Sequence, residues 1–440
     1  MNASAPIERI ASLHARLAPS LGGGAAWARR RGEALGTLVA RGLPDRRDEN
    51  WKYLDHARLA EYPFDAAPHA PADAARLAHL LLPLERARRI VLADGRFNAT
   101  LSSDLAAAGL EVVDLGRLLE REPEAALGLL RTPGADADDR YALLADAFAS
   151  GGVLLRIAEG CRLDEPVYLV HLATAAEPAV HQSRVVIEAG AHAHCTLVEH
   201  FVTSGDSAVL GNLAADISLA ESAAVAHLRL HQHAAAAAQV ETWTARLAAK
   251  SRYEQHLMAL GGRLLRSSLR LALEGAGSAC RLDGLFLADG ERQVDLLTQV
   301  AHVGAATETL QDYRGIAAGR GRGSFNGRIT VQPTARGANA SQSSRNLLLT
   351  PLAEINARPQ LEILVDEVQC RHGATTGTLD PDQLFYLVSR GLDPAAARAL
   401  LTYAFCRDLI GRVPVAAVRS AAESLVASSL PDRDLIRGLA

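Results

Sequence analysis

The sequence predicts a mainly β protein with helical flanks, whose core is a β-solenoid. Strand-like apolar runs recur between Gly151 and about Cys370. Small turn triplets separate several of them at roughly thirty residues, a period expected of stacked coils. Helical patterns lie at the two ends and are largely missing between the strands, which argues against a doubly wound α/β sheet. A β-sandwich is the competing architecture, and the spacing after Ser278 is less regular than an ideal solenoid requires. At 440 residues the chain exceeds one typical core. The expected division is an N-terminal mostly helical domain (residues 1–150), a β-helix core (151–376) and a C-terminal helical domain (377–440).

In chain order, Ala5 to Leu17 and Ala25 to Val39 are Ala-, Leu- and Arg-rich with helical spacing. The apolar runs Arg89 to Ala93 and Leu110 to Val113 read as strands, with Asp94-Gly95-Arg96-Phe97-Asn98 as a turn or loop between them. In Glu49-Asn50-Trp51-Lys52-Tyr53 the two aromatics suit a loop anchored on a core. Strands follow at Val153 to Ile157, Val167 to His171, Arg184 to Ile187, Ala215 to Leu219, Leu269 to Leu273 and Arg281 to Leu287. The triplets are Ala189-Gly190-Ala191, Ala220-Glu221-Ser222, Ala249-Lys250-Ser251 and Ala276-Gly277-Ser278.

From Pro359 the pattern changes. Leu361, Ile363 and Val365 alternate with Glu362, Leu364 and Asp366, a strand whose second face is also partly covered. It runs into Cys370-Arg371-His372-Gly373, two borderline-to-soft ligand types one residue apart before a turn-permitting Gly. Asp380-Pro381 then opens a helix as N-cap and first residue, Gln383 completes a capping-box pattern, and Gly391 ends it. Leu384, Phe385, Leu387 and Val388 form its apolar side. A second helix opens at Asp393-Pro394, with Ala397, Leu400, Leu401, Ala404 and Phe405 assigned to one side, and a third runs from about Val415 to Ser428.

Composition excludes several classes. Hydrophobic residues at 49% and charged residues at 22% fit a globular protein, and no run of about 18 apolar residues suggests a membrane span. The first residues lack the apolar centre of a secretory signal and read as an amphipathic helix. A net charge of −4 argues against general nucleic-acid binding. Cys161, Cys195, Cys280, Cys370 and Cys406 are odd in number and widely spaced, which favours a reducing compartment, the cytoplasm. They also lack ferredoxin-type spacing for a resident cluster. Gly319-Arg320-Gly321-Arg322-Gly323 fails both the dinucleotide and Walker A fingerprints and reads as a loop between coils; the chain carries no Walker A sequence. His227, Arg229, His231 and His233 share one face of a strand with Leu228 and Leu230 opposite, and His192 and His194 repeat the pattern a coil earlier. That face is either a metal site or, as the expectation runs, a solvated polar surface.

The stretch LEILVDEVQCRHGATTGTLD followed by LFYLVSRG resembles the signature of the SufD branch of the SufB/SufD family, scaffold subunits of the SUF iron–sulfur cluster assembly system. The SufB branch resembles His-Glu-Ala where this chain has His372-Gly373-Ala374. Trp51-Lys52-Tyr53-Leu54 is similar to the family's Trp-Lys-Tyr-Thr element, with Leu54 replacing Thr. Asp312 to Gly315, Phe325 to Ile329 and Ser341 to Leu349 also resemble it, so the likeness covers about Ala142 to Phe405. It implies a right-handed parallel β-helix and a non-enzymatic role in a complex with a SufB-like scaffold subunit and a SufC-like ATPase. It further implies that His372, with Cys370 beside it, faces a nascent cluster at the SufB interface. His372 would be the metal ligand; the role of Cys370 is less defined. Glu367 replaces the family's more usual Asp. No cluster would be stably bound by the isolated chain, and self-pairing in the absence of SufB is left open. Leu384, Phe385, Tyr386, Arg390, Leu401 and Phe405 are expected to contact SufC, on a tail removable after Thr378 without loss of the β-body. The competing readings are a SufB-type paralogue and a polysaccharide-active β-helix enzyme. The second needs convergent carboxylates and sugar-stacking aromatics, and aromatics are 4% of the chain.

Overall fold

The structure is a computed structural model, and it describes residues 4–22, 24–62, 77–103, 105, 108–130 and 140–429. Successive strands alternate between two sheets, and each pairs in parallel with the strand two positions further on. The result is a β-solenoid of about eight turns with helices at both ends. One sheet runs from Arg88–Ala93 through Val167–Ala173 and five further coils to Asn339–Leu348 and Gln369–Gly377. The other runs from Leu110–Asp114 through Gly152–Ile157 to Arg322–Val331 and Glu354–Ile363. The sandwich alternative is thereby excluded. The strands after Ser278 are as regular as those before it: Ala279–Ala288, Gln293–His302, Glu308–Ala317 and Arg322–Val331 have ten residues each. The irregular spacing lies in the corners.

Stacking puts like on like inside. Leu155, Ile187, Ile217, Ala245, Leu271, Val300, Ile329 and Leu361 form one in-register inner column. Fully burying one such side chain stabilises by about 1.5–3 kcal/mol, so the column is a main source of cohesion. The turn triplets form a corner ladder. His192, Ser222, Lys250, Gly277 and Ala306 all have φ between 52° and 69°. Their N–H groups each donate to the next coil, to Glu221, Ala249, Ala276, Ala305 and Arg336 at 2.8–3.0 Å. Those bonds hold even non-glycine residues in the left-handed region. Gly321, in the loop between coils, is required for close approach: a Cβ there would lie 1.9 Å from the Ala288 carbonyl oxygen.

Both outer faces are covered, which is why the strands read as near-continuous apolar runs. The first helices, Ser4–Leu17 and Gly24–Arg41, bring Ile10, Leu13 and Leu38 into a cluster with Trp51, Tyr141, Leu210, Val240 and Leu264. Trp51 stacks on Tyr141 (5.3 Å) under the Arg266 guanidinium (4.4 Å), so the aromatic segment is an anchor, as expected. On the opposite face, Pro394–Ile410 and Ala416–Ser428 cover Leu228, Leu230, Met258, Leu285 and Leu287. The buried side of Pro394–Ile410 is Ala397, Ala399, Thr402, Tyr403, Cys406, Leu409 and Ile410. This corrects the sequence assignment: Ala404 is exposed, while Leu400, Leu401 and Phe405 are half-buried. Apolar residues surround this helix on nearly every side, so periodicity does not select one face.

Candidate functional site

The solenoid ends abruptly. Among the described residues, Gln369–Gly377 pairs only with Asn339–Leu348, and Glu354–Ile363 only with Arg322–Val331. The last coil therefore offers open backbone edges, and its apolar residues lack a covering rung. Leu352, Ile363 and Leu364 are 67%, 43% and 50% exposed. Ile363 continues an inner column through Val331, His302 and Leu273, so its exposure comes from position and not from polarity.

Cys370 and His372 sit on this last strand. They are in register with Ala340 and Gln342, which point into the solenoid, so both belong to the inner face of the terminal rung. Cys370 is half-buried against the apolar core, and His372 is exposed. Burial pushes the Cys370 thiol up, partly offset by a hydrogen bond involving the Ala340 backbone. At neutral pH it stays a thiol until a cation or metal favours the thiolate.

The four-residue polar face turns inward, which overturns the solvated-surface expectation. His227, Arg229 and His231 are buried inside the solenoid, because the opposite face, Leu228 and Leu230, is the one under the C-terminal helices. The carboxylates that match them are Glu199 and Glu241. Glu199 accepts from Arg229 Nε (3.0 Å) and pairs with His171 Nε2 (2.7 Å) and His227 Nε2 (3.2 Å); Arg229 also binds Glu241. Burial raises the Glu199 carboxyl, but the bonds from His171 and His227 and the Arg229 charge outweigh it and hold it well below its ordinary range. His171 and His231 stack on the two faces of Phe201 at 4.3 and 4.2 Å. His192 and His194 are not part of this network: in register, the coil before Arg229 offers Glu199. Among the described residues no group of three or more His, Cys, Asp or Glu is placed to hold a metal. The lumen carboxylates Glu199 and Glu241 are both held by Arg229.

The C-terminal helices are clamped to the solenoid by a second charged cluster that sequence reading did not find. Arg412 Nη1 bridges Asp312 (2.9 Å) and Asp283 (3.4 Å), which sit in adjacent rungs. Arg314 Nη1 donates to the Phe405 carbonyl (2.6 Å), and its Nη2 to Asp408. Phe405 thus packs toward the body. The short helix Pro381–Ser389 behaves differently. Asp380 caps it, accepting from the Asp382 N–H (2.9 Å), and Gly391, at φ 95°, terminates it. None of its residues is buried. Phe385 and Tyr386 are 73% and 56% exposed, Arg390 lies over the Tyr386 ring (5.1 Å), and Leu384, Leu387 and Leu401 are half-buried.

The chain is thus a parallel β-solenoid with an open terminal rung that carries Cys370 and His372 and an exposed apolar helix at its tail. The family described as "SUF system FeS cluster assembly, SufBD core domain" matches residues 171–405, and the chain belongs to that family. It is 29% identical to the iron–sulfur cluster assembly protein SufD of Escherichia coli, over 85% of this chain and 86% of that protein. It is 28% identical to a SufBD family protein of Synechocystis, over 88% and 87%, and 26% identical to SufD of Bacillus subtilis, over 74% and 75%. No helix among the described residues is long and apolar enough to cross a membrane.

Proposed function

We propose that this chain is a SufD-type scaffold subunit in iron–sulfur cluster assembly, without turnover chemistry of its own. The observation that carries the reading is the open terminal rung, which presents Cys370 and His372 on one inner face beside exposed Leu352, Ile363 and Leu364. A SufB-type chain covers that end, and the nascent cluster, which is cargo, forms in the seam. His372 supplies a neutral imidazole nitrogen, and Cys370 a thiol that iron deprotonates on binding. Ligands divided between two chains are separated when the interface shifts, which releases the product. The helix Pro381–Ser389 docks a SufC-type ATPase through Leu384, Phe385, Tyr386 and Arg390, with Leu401 at the patch edge. Phe405 supports the patch from the body side. Five free cysteines suit a reducing compartment such as the cytoplasm.

The test is His372→Ala in the reconstituted three-component complex. The residue is exposed, so the thermal midpoint and complex assembly should stay near wild type, since surface changes usually shift stability by less than about 0.5 kcal/mol. Cluster formation, followed by absorbance and iron content, should fall. Normal cluster formation in an intact complex would remove His372 from the reading.

A further inference from the structure

We infer that Gln342 is a positioning residue for His372, selecting the ring tautomer that His372 presents at the open end. The inference rests on the reading of His372 as a cluster-facing ligand. Gln342 occupies the rung beneath His372, in register with it and on the same inner face. Adjacent rungs lie about 4.8 Å apart, within side-chain reach of one another. Gln342 is 2% exposed, and its amide is already committed at one end. Nε2 donates to Gln311 Oε1 (3.3 Å), one rung further in, and that same oxygen accepts the Thr298 hydroxyl (2.8 Å). Gly327 makes room for this arrangement, since a Cβ there would stand 2.0 Å from Gln342 Nε2. The other end, Oε1, is buried without a hydrogen-bond partner.

A buried carbonyl oxygen without a partner costs about 1–3 kcal/mol, so its retention calls for an explanation. The donor assigned to it is a ring N–H of His372, whose exposed side chain stands one rung out, in register and on the same face, and would turn inward to reach it. A metal-binding imidazole uses one nitrogen for the metal, and the hydrogen bond made by the other fixes which nitrogen that is. Thr298, Gln311 and Gln342 are anchored in the solenoid, so they can aim the ring before any iron arrives. His372 then presents its unprotonated nitrogen outward.

The test uses the full chain, metal-free, with 15N-labelled histidine. The wild-type His372 ring should show one dominant tautomer at a pH where it is neutral, with its N–H slowed in exchange with water. Gln342→Met keeps the shape and removes the acceptor, and should turn the signal into a two-tautomer average. Gln342→Glu keeps an acceptor oxygen and should restore the single tautomer. A wild-type ring already averaged between tautomers overturns the inference without any variant, so a misfolded variant does not protect it. An unchanged ring in a folded Gln342→Met overturns it as well. In the assembled complex, Gln342→Met should weaken iron retention about 10–100-fold, the usual effect of losing a ligand's hydrogen-bond partner. Intact cluster formation by His372→Ala would instead sink the scaffold reading of His372 and leave the tautomer result standing.

Discussion

His200, on the outer face that the C-terminal helices cover, and His302, inside the solenoid, show how buried residues become sensors of pH. Both are fully buried and satisfied as neutral rings, His200 by Tyr168 (2.8 Å) and Gln232 (3.1 Å), His302 by Thr307 (2.8 Å) and Thr309 (2.9 Å). Burial lowers each to about 4. In the unfolded chain both titrate near 6.5, so between about pH 6.5 and 4 the unfolded state binds more protons. Stability is therefore full above about 6.5 and falls with decreasing pH, by about 1.4 kcal/mol per pH unit for each histidine. Urea midpoints taken across that range should slope downward toward acid, and His302→Gln should flatten the slope. A flat wild-type profile over this window would contradict the buried neutral assignment. The same scale shows what the sequence conveyed. Alternation along His227 to His231 was legible, but period two says only that the faces differ, not which one meets the lumen. Here both faces are buried, and the deciding carboxylates lie a coil away at Glu199 and across the lumen at Glu241.

Helix ends were legible because capping is local. Asp380-Pro381, Gly391 and Asp393-Pro394 act as their chemistry requires. Helix faces were not, because what Pro394–Ile410 buries depends on a sheet surface distant in sequence. That surface also changes what the tail means. Cutting after Thr378 would uncover Leu228, Leu230, Met258 and Leu285, so it would damage the β-body along with any docking site. Point changes separate the two. Phe385→Ala with Tyr386→Ala should leave thermal stability near wild type, since both are exposed, while weakening ATPase-subunit binding by about 2 kcal/mol or more in calorimetry. Near-native affinity in that variant would move the docking site elsewhere. Arg412→Met tests the clamp. It leaves Asp283 and Asp312 facing the helix in adjacent rungs, with Arg281, Arg314 and Arg345 to offset them and His256 beside Asp283 (3.7 Å). Breaking buried pairs costs about 3–5 kcal/mol; Arg412 is partly exposed, so the lower end applies. Hydrogen exchange should report the loss first in Pro394–Ser428, and uniform exchange across helices and solenoid would show that the clamp does not hold them.

At the scale of the molecule, the two ends of the solenoid are treated differently. The N-terminal end is closed by antiparallel Arg96–Phe97 and Leu110–Asp114, which finish both sheets. The C-terminal end carries open edges and exposed Leu352, Ile363 and Leu364, a combination that natural sheets normally suppress. The repeat of about thirty residues made the coils legible from sequence, but repeats do not announce which rung is last or what covers it. Such an end is best covered by another sheet edge, and in the absence of a SufB-type chain the available edge is a second copy. Sedimentation of the pure chain should show concentration-dependent pairing. Leu364→Lys, placed on the exposed apolar end, should shift the chain to monomer and reduce capture of the SufB-type partner in parallel. The pure chain should nevertheless retain no stable cluster after anaerobic reconstitution. Cys370 is the one cysteine at this end, Cys195, Cys280 and Cys406 are buried with burial pushing each thiol up to about 12, and Cys161 lies at the opposite end of the solenoid. A stoichiometric, lasting cluster on the pure chain would overturn the shared-seam reading. Loss of self-pairing in Leu364→Lys with partner capture intact would show instead that the two chains meet through a different face.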